Sequence, residues 1–120
     1  MSPANAEVYH FEDDPDQIEV VGIFLRIHGH NIRETANSVR TALDIIPRIP
    51  AGAVVIQDGN LGTSRLGEDG QRVVDEIRMQ HGDTVIIIAH TGDGSSFDRA
   101  NFNSPKTDGA QALARIVTAA

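Results

Sequence analysis

Carboxylates follow two β-prone segments of this sequence, and their types and positions favour the binding of a cation. Glu12 and Asp13 follow the segment Glu7–Phe11, and Asp58 stands at the end of the segment Ala53–Gln57. Carboxylates that converge on one small space repel each other unless a cation neutralises them. Their hard oxygen ligands suit Mg²⁺, which takes one or two carboxylates, keeps several waters and binds phosphate oxygens. The acids therefore predict a Mg²⁺ site, provided that the fold brings the two segments together.

Each of these acids has a second interpretation. Asp58 beside a cation is a plausible nucleophile, because carboxylates form aspartyl-phosphate intermediates. Alternatively, Asp58 only begins a turn with Gly59, since Asp-Gly is common in turns. Glu12, Asp13 and Asp14 either bind the cation or stabilise the start of the next helix. The position of Glu12 and Asp13 at the end of a strand favours cation binding for these two, and Asp14 is the better candidate for the helix cap.

The elements that must position these acids alternate along the chain. Residues 1–6 are predicted to be a loose N-terminal tail. Helices are predicted where apolar residues recur every three or four positions after a capping residue. The predicted helices begin after Asp14, after Asn37 or Ser38, at about Gly70, and after Thr107 or Asp108. Strands are predicted at residues 7–11, 30–35, 53–57, 84–89 and 100–103.

Strands that alternate with helices in one small domain are typical of a parallel sheet covered on both faces. The continuous Val and Ile segments at 53–56 and 85–89 are typical of central strands. We therefore predict an α/β fold with a doubly wound, flavodoxin-like parallel sheet of five strands in the order 2-1-3-4-5. In that order the first and third strands are neighbours, so Glu12, Asp13 and Asp58 would meet at the edge where ligands bind.

The segment His90–Arg99 breaks this alternation. It is polar and contains two glycines and two serines, without the periodicity of an amphipathic helix. We expect the helix between the fourth and fifth strands to be shortened or missing.

Composition limits the classes of function. The 120 residues are enough for one domain, and the absence of cysteine excludes disulfides and thiolate chemistry. A net charge of -7 argues against a nucleic-acid partner bound through a broad basic surface. There is no signal-peptide pattern and no apolar segment of the ~20 residues that a membrane span needs. We expect a cytoplasmic protein without a membrane partner.

Several motifs together resemble the receiver domain of response regulators. They are Phe11–Asp16, Val54–Asn60, the Gly70 near the start of the third helix, and Val85–His90. The resemblance covers nearly the whole chain, roughly 8–117, and implies a stand-alone receiver without an output domain.

The resemblance implies a role for each acid. Asp58 would accept a phosphoryl group from a histidine kinase or phosphotransfer protein, and the signal would pass to an unknown downstream protein. Glu12 and Asp13 would hold Mg²⁺, Asp13 most directly, and the backbone carbonyl of Asn60 would complete the metal site. Such a domain is a phosphoacceptor and not an enzyme in the usual sense, apart from slow self-dephosphorylation.

This chain departs from the receiver pattern at two positions of the site. Receivers carry Thr or Ser at the end of the fourth strand, where this chain has Ala89, and Thr91 could substitute if the loop bends back. Receivers carry Lys-Pro at the end of the fifth strand, where this chain has the inverted pair Pro105-Lys106, with Phe102 at the aromatic switch position.

The inversion makes Lys106 the decisive residue. A shift of one residue turns a side chain to the opposite face of a strand. Lys106 would then face away from the acids, unless the flexibility of its side chain or a cis bond at Ser104-Pro105 brings it back. We expect Lys106 to reach the acids.

Three functions remain open from the sequence. The first is a receiver phosphorylated on Asp58, and the second is a pseudo-receiver, a binding module that acts without phosphorylation. The third is a small Mg²⁺-dependent phosphohydrolase with Asp58 as nucleophile. The histidines show no metal-ligand spacing, and His10, within the first strand, is expected to be buried with its ring nitrogens hydrogen-bonded.

Overall fold

A single parallel sheet forms the centre of the molecule. The computed structural model describes residues 7–62 and 68–120, and the predicted tail 1–6 lies outside the described residues. The sheet has five strands in the order β2-β1-β3-β4-β5, and every neighbouring pair is parallel. The predicted fold class and strand order are therefore confirmed.

The bounds of the elements follow the predicted alternation. The strands are β1 Val8–Phe11, β2 Ile32–Ala36, β3 Val54–Gln57, β4 Ile86–Ala89 and β5 Phe102–Asn103. The α-helices are α1 Pro15–Ile27, α2 Val39–Ile45, α3 Glu68–His81 and α4 Gly109–Ala119. Short 3₁₀ turns occupy Ile46–Arg48 and Lys106–Asp108.

Capping residues set the starts of the first two helices. The Asp14 carboxylate accepts a hydrogen bond from the N–H of Asp16 at 2.9 Å, and Pro15 occupies the first helical position. Ser38 caps α2 by accepting from the N–H of Thr41 at 3.2 Å. Asp14 therefore stabilises a helix end, as its position in the sequence indicated.

Some predicted bounds were wrong. Helix α3 begins at Glu68 and not at about Gly70, so that Glu68 and Asp69 place negative charge in its first turn, where the helix dipole favours it. Strand β5 has two residues instead of four. It is short because the N–H of Ile87 on β4 donates to the side chain of Asn101 and not to a backbone carbonyl.

Apolar layers cover both faces of the sheet, because alternate residues of each strand face opposite sides. One layer packs under α2 and α3 and the other under α1 and α4. The first layer includes Tyr9, Phe11, Val55, Ile87, Val73 and Ile77. The second includes Val8, Val54, Ile56, Ile88, Leu25 and Leu113.

The segment between β4 and β5, all of which is described, contains no helix. Phe97 is the apolar anchor of this segment, with only 8% of its surface exposed. The predicted loss of the helix at this position is therefore confirmed.

Among the described residues, no helix is long and apolar enough to cross a membrane.

Candidate functional site

The fold brings the three acids together at the carboxyl ends of β1 and β3. These strands are hydrogen-bonded neighbours, with Phe11 opposite Gln57. Glu12, Asp13 and Asp58 each present a carboxylate oxygen, and these oxygens lie within 4.8 Å of one another. Glu12 and Asp58 are buried, whereas Asp13 is exposed. The strand-end positions of the acids thus place them in one cluster.

The backbone around Asp58 is held on both sides. Its N–H donates to the carbonyl of Phe11 at 2.9 Å, which extends the pairing of β1 with β3 by one residue. The side-chain amide of Gln57 donates to the carbonyl of Asp58, also at 2.9 Å. The Oδ1 of Asp58 accepts from the N–H of Gly59 at 2.8 Å. These contacts orient the carboxylate toward the edge of the sheet.

Gly70 packs directly behind Asp58. A Cβ at this position would lie 2.5 Å from the carbonyl oxygen of Asp58 and 2.6 Å from the Cζ of Phe97. The N–H of Gly70 donates to the carbonyl of Gly59 at 2.9 Å. Only glycine permits this close approach of α3 to the loop after β3. The sequence showed Gly70 only as part of a resemblance, because the contact joins segments distant along the chain.

Lys106 reaches the acids despite its inverted order with Pro105. Its Nζ lies 3.0 Å from the Oε1 of Glu12 and 3.2 Å from the Oδ1 of Asp58. The peptide bond at Ser104-Pro105 is trans, so a cis bond is not what directs the side chain. The ammonium therefore contacts both buried acids of the cluster, Glu12 and Asp58.

Burial and mutual repulsion make the acid cluster hold a proton. Burial raises the pKa of Glu12 to about 8, and the neighbouring Asp58 adds to the rise while Lys106 opposes it. Burial alone would lower the pKa of Lys106, but its contacts with Glu12 and Asp58 more than offset this and raise it. Without a metal ion, the cluster thus combines a protonated lysine with a carboxyl group that stays protonated near neutral pH.

A pocket of about 190 Å³ opens beside Asp58. Residues 58–60 line one side of it, and Thr91, Gly92, Asp93 and Ser95 line the other. Ala89, at the end of β4, is buried and has no hydroxyl group to offer. Thr91 is buried at the pocket instead, and its hydroxyl donates to the carbonyl of Ser95 at 2.7 Å. Thr91 therefore lines the same pocket as Asp58 and Asn60.

The prediction that His10 is hydrogen-bonded was wrong. His10 is fully buried, but neither ring nitrogen has a hydrogen-bond partner within the described residues. Burial, with His90 and Lys106 nearby, lowers the pKa of His10 to about 3. His90 is also buried, and its Nδ1 donates to the carbonyl of Ser104 at 2.6 Å. Burial also lowers the pKa of His90. The position of His10 within a strand whose four residues are all buried accounts for its burial.

Solved receiver domains share this architecture over nearly the whole chain. The receiver domain of NtrX from Brucella abortus is 28% identical with a TM-score of 0.67, over 91% of this chain and 92% of that chain. The receiver domain of the sensor histidine kinase PA1611 from Pseudomonas aeruginosa PAO1 is 26% identical with a TM-score of 0.75, over 93% of each chain. A CheY-like receiver domain from Methanospirillum hungatei JF-1 is 19% identical with a TM-score of 0.74, over 94% of this chain and 91% of that chain.

In the PA1611 structure, a magnesium ion is coordinated in the active-site cleft. No protein family and no curated protein matches the sequence of the present chain. The sheet order and these structural neighbours nevertheless define the class of fold: the chain has the architecture of response-regulator receiver domains. These structural neighbours come from a sensor histidine kinase and from response regulators.

Proposed function

We propose that this receiver accepts a phosphoryl group on Asp58 within a two-component phosphorelay. The observation that supports the proposal most is the ammonium of Lys106, which contacts Asp58 although the order of the Lys-Pro pair is inverted. A histidine kinase or a phosphotransfer protein is the donor. The product is the phosphorylated domain itself, which passes the signal to a downstream protein.

The reaction needs alignment and charge neutralisation more than covalent chemistry. A carboxylate oxygen of Asp58 forms a bond to phosphorus while the bond from phosphorus to the donor breaks, and the leaving group keeps the electron pair. Lys106 stabilises the negative charge on the transferring oxygens. Its present ion pair with Asp58 places the ammonium beside the atom that becomes phosphorylated.

The acid cluster fits a hard divalent cation. Glu12, Asp13 and Asp58 supply converging carboxylate oxygens, and the buried Oε1 of Glu12 has no hydrogen-bond partner among the described residues. That oxygen lies 3.0 Å from the Nζ of Lys106, a contact that becomes an ion pair once Glu12 loses its proton. Mg²⁺ held by these acids would neutralise negative charge on the carboxylates and on the phosphoryl oxygens. The carbonyl of Asn60 remains a proposed fourth contributor.

The second candidate function is that of a pseudo-receiver, which binds a partner without being phosphorylated. Two observations favour it: Ala89 has no hydroxyl group, and the hydroxyl of Thr91 is already hydrogen-bonded to Ser95. Thr91 can donate to a phosphoryl oxygen only after it leaves that carbonyl. The missing helix between β4 and β5 also alters a surface that receivers use for output.

Phosphorylation of Asp58 is tested by intact-mass measurement after incubation with acetyl phosphate and Mg²⁺. We expect the parent to gain one phosphoryl group and Asp58→Asn to gain none. Asp44→Asn, which removes an exposed acid on α2, is the matched control and should behave as the parent does. A parent that gains no mass supports the pseudo-receiver, and sustained consumption of many equivalents of acetyl phosphate supports the phosphohydrolase.

Mg²⁺ binding is tested with Asp13→Asn, because Asp13 is the exposed member of the cluster. We expect the substitution to weaken Mg²⁺ binding by at least about tenfold, the effect of disturbing even the outer contacts of a metal site. It should also raise the melting temperature of the metal-free protein, because it removes one repelling charge. Asp14→Asn keeps the helix cap and is the control. Equal Mg²⁺ affinity in Asp13→Asn and the parent would show that the acid cluster is not the metal site.

A further inference from the structure

The segment that contains β5, Asn101 to Ser104, has one residue more than β4 between two backbone hydrogen bonds that join the segment to β4. The N–H of Asn101 donates to the carbonyl of Ile87 at 2.8 Å, and the N–H of Ser104 donates to the carbonyl of Ala89 at 2.8 Å. In a regular parallel pair, successive donors and acceptors are both two residues apart. Here the donors are three apart and the acceptors two apart. The pairing therefore contains a bulge, which is rare between parallel strands.

The extra residue decides which way Lys106 points. Beyond it the pairing is regular again, and the N–H of Lys106 donates to the carbonyl of Thr91 at 2.9 Å. A one-residue shift exchanges the two faces of a strand. Lys106 thus occupies the position that Pro105 would take without the bulge. The bulge compensates for the inverted order of the two residues.

The side chain of Asn101 completes the hydrogen bonding at the bulge. In regular parallel pairing, the N–H of Ile87 would donate to the carbonyl of Arg99, two residues before Asn101. That carbonyl instead accepts from the Nε and Nη2 of Arg78, at 3.1 and 2.8 Å. The Oδ1 of Asn101 takes its place and accepts from the N–H of Ile87 at 2.8 Å and from the Nη2 of Arg78 at 2.8 Å.

Arg78 is itself held firmly. Its guanidinium is buried, and its Nη1 donates to the carbonyl of Gly82 at 2.8 Å and to the carbonyl of Val85 at 2.7 Å. A planar guanidinium that makes bonds at both sides has little freedom to move. It therefore joins the end of α3, the start of β4 and the residues before β5.

We propose that Asn101, held by Arg78, is a positioning residue for Lys106. Its amide oxygen satisfies the N–H that the bulge would leave unpaired, and so maintains the register that directs Lys106 to Glu12 and Asp58. The effect of Asn101 on the position of the Lys106 ammonium does not depend on the proposed function. Only the effect of that position on phosphoryl transfer rests on it.

Removal of the amide oxygen should loosen β5 without shifting it to a new register. The N–H of Ile87 belongs to a buried residue, so its loss of an acceptor is costly. A slip by one residue would bring Pro105 opposite the carbonyl of Thr91, and proline has no N–H to donate. The strand end is expected to open more often, which exposes Lys106.

The sequence contains a single lysine, so the exposure of Lys106 can be measured directly. The rate at which an N-hydroxysuccinimide ester acylates Lys106 is followed by peptide mass, separately from the N-terminal amine. We expect Asn101→Ala to raise this rate by about fivefold, the change in an opening equilibrium caused by the loss of one ordinary hydrogen bond. Arg78→Met, which lacks the planar fork and adds no second lysine, should raise it as well.

Asn101→Asp is the rescue variant. Among the described residues, both hydrogen bonds of the Asn101 side chain are accepted by its oxygen, and a carboxylate supplies the same acceptor. Lys106 in this variant should therefore be acylated at the rate of the parent.

Thr84→Ala is the matched control, since it removes a hydrogen bond of 2.8 Å to the carbonyl of His81 near the other end of β4. It should not change the acylation of Lys106.

Two results would overturn the inference: Asn101→Ala acylating no faster than the parent, or Asn101→Asp acylating as fast as Asn101→Ala. Phosphorylation by acetyl phosphate is measured on the same proteins. If Asn101 acts through Lys106, Asn101→Ala should be phosphorylated more slowly than the parent. The double variant Asn101→Ala with Lys106→Met should then be phosphorylated no more slowly than Lys106→Met alone. If the acylation pattern holds while the parent gains no phosphoryl group, the inference stands and the proposed function fails.

Discussion

Lys106→Met is expected to slow the phosphorylation of Asp58 by acetyl phosphate by about two to three orders of magnitude, the usual effect of removing one preorganised group that stabilises transition-state charge. The ammonium lies 3.2 Å from the Oδ1 of Asp58 and 3.0 Å from the Oε1 of Glu12. Methionine keeps much of the length and the apolar stem of lysine but removes the charge. The rate is measured by intact mass as a function of time.

Arg72→Met is the matched control for this prediction, because it removes a cation from an exposed position on α3. It should leave the rate unchanged. If Lys106→Met and the parent are phosphorylated at the same rate and lose the phosphoryl group equally fast, the ion pair has no catalytic role. That result would favour the function of a pseudo-receiver over that of a phosphoacceptor.

Glu12→Gln is expected to change how the stability of the metal-free protein depends on pH. The pKa of Glu12 rises from 4.5 to about 8 on folding. The folded state then binds a proton more tightly than the unfolded state, so this stabilisation is complete below pH 4.5 and is lost as the pH rises to about 8. The loss across this window is on the order of 5 kcal/mol, because the pKa rises from 4.5 to about 8 and each unit of pKa shift corresponds to about 1.4 kcal/mol.

Urea unfolding between pH 5 and pH 9 with a chelator present measures this free energy. Because glutamine cannot ionise, the free energy of unfolding of Glu12→Gln should depend less on pH over this window. At the upper end of the window Glu12→Gln should be more stable than the parent. Glu19→Gln, an exposed position on α1, should keep the pH dependence of the parent. Added Mg²⁺ should stabilise the parent most at high pH, where the metal does not compete with a proton. An identical pH dependence in Glu12→Gln and the parent would contradict the raised pKa.

Local patterns were sufficient to predict the elements of the fold. These patterns depend only on residues that are close together along the chain. They are the spacing of apolar residues, the Asp14-Pro15 cap and the continuous Val-Ile segments. Alternation of strands and helices then leaves few topologies open, because crossover connections are right-handed. The order of the five strands and the convergence of Glu12, Asp13 and Asp58 followed from these rules.

The bounds of β5 could not be predicted in the same way. Its length depends on whether Ile87 pairs with a backbone or a side-chain acceptor, and that acceptor is Asn101, fourteen residues later. The same limit applies to His10, since its place in a strand predicts its burial, but not that its ring nitrogens have no hydrogen-bond partner among the described residues.

The sequence by itself determined the class of fold, the acid cluster and the differences from the receiver pattern at Ala89 and at Pro105-Lys106. Only the tertiary structure decided that Lys106 reaches the acids and that Gly70 must lack a side chain. The physical reason is that both depend on contacts between distant segments: a bulge held by Arg78 and Asn101, and the approach of α3 to the carbonyl of Asp58. Periodicity reports the face on which a residue lies, whereas a one-residue change of register in the sheet reverses that face.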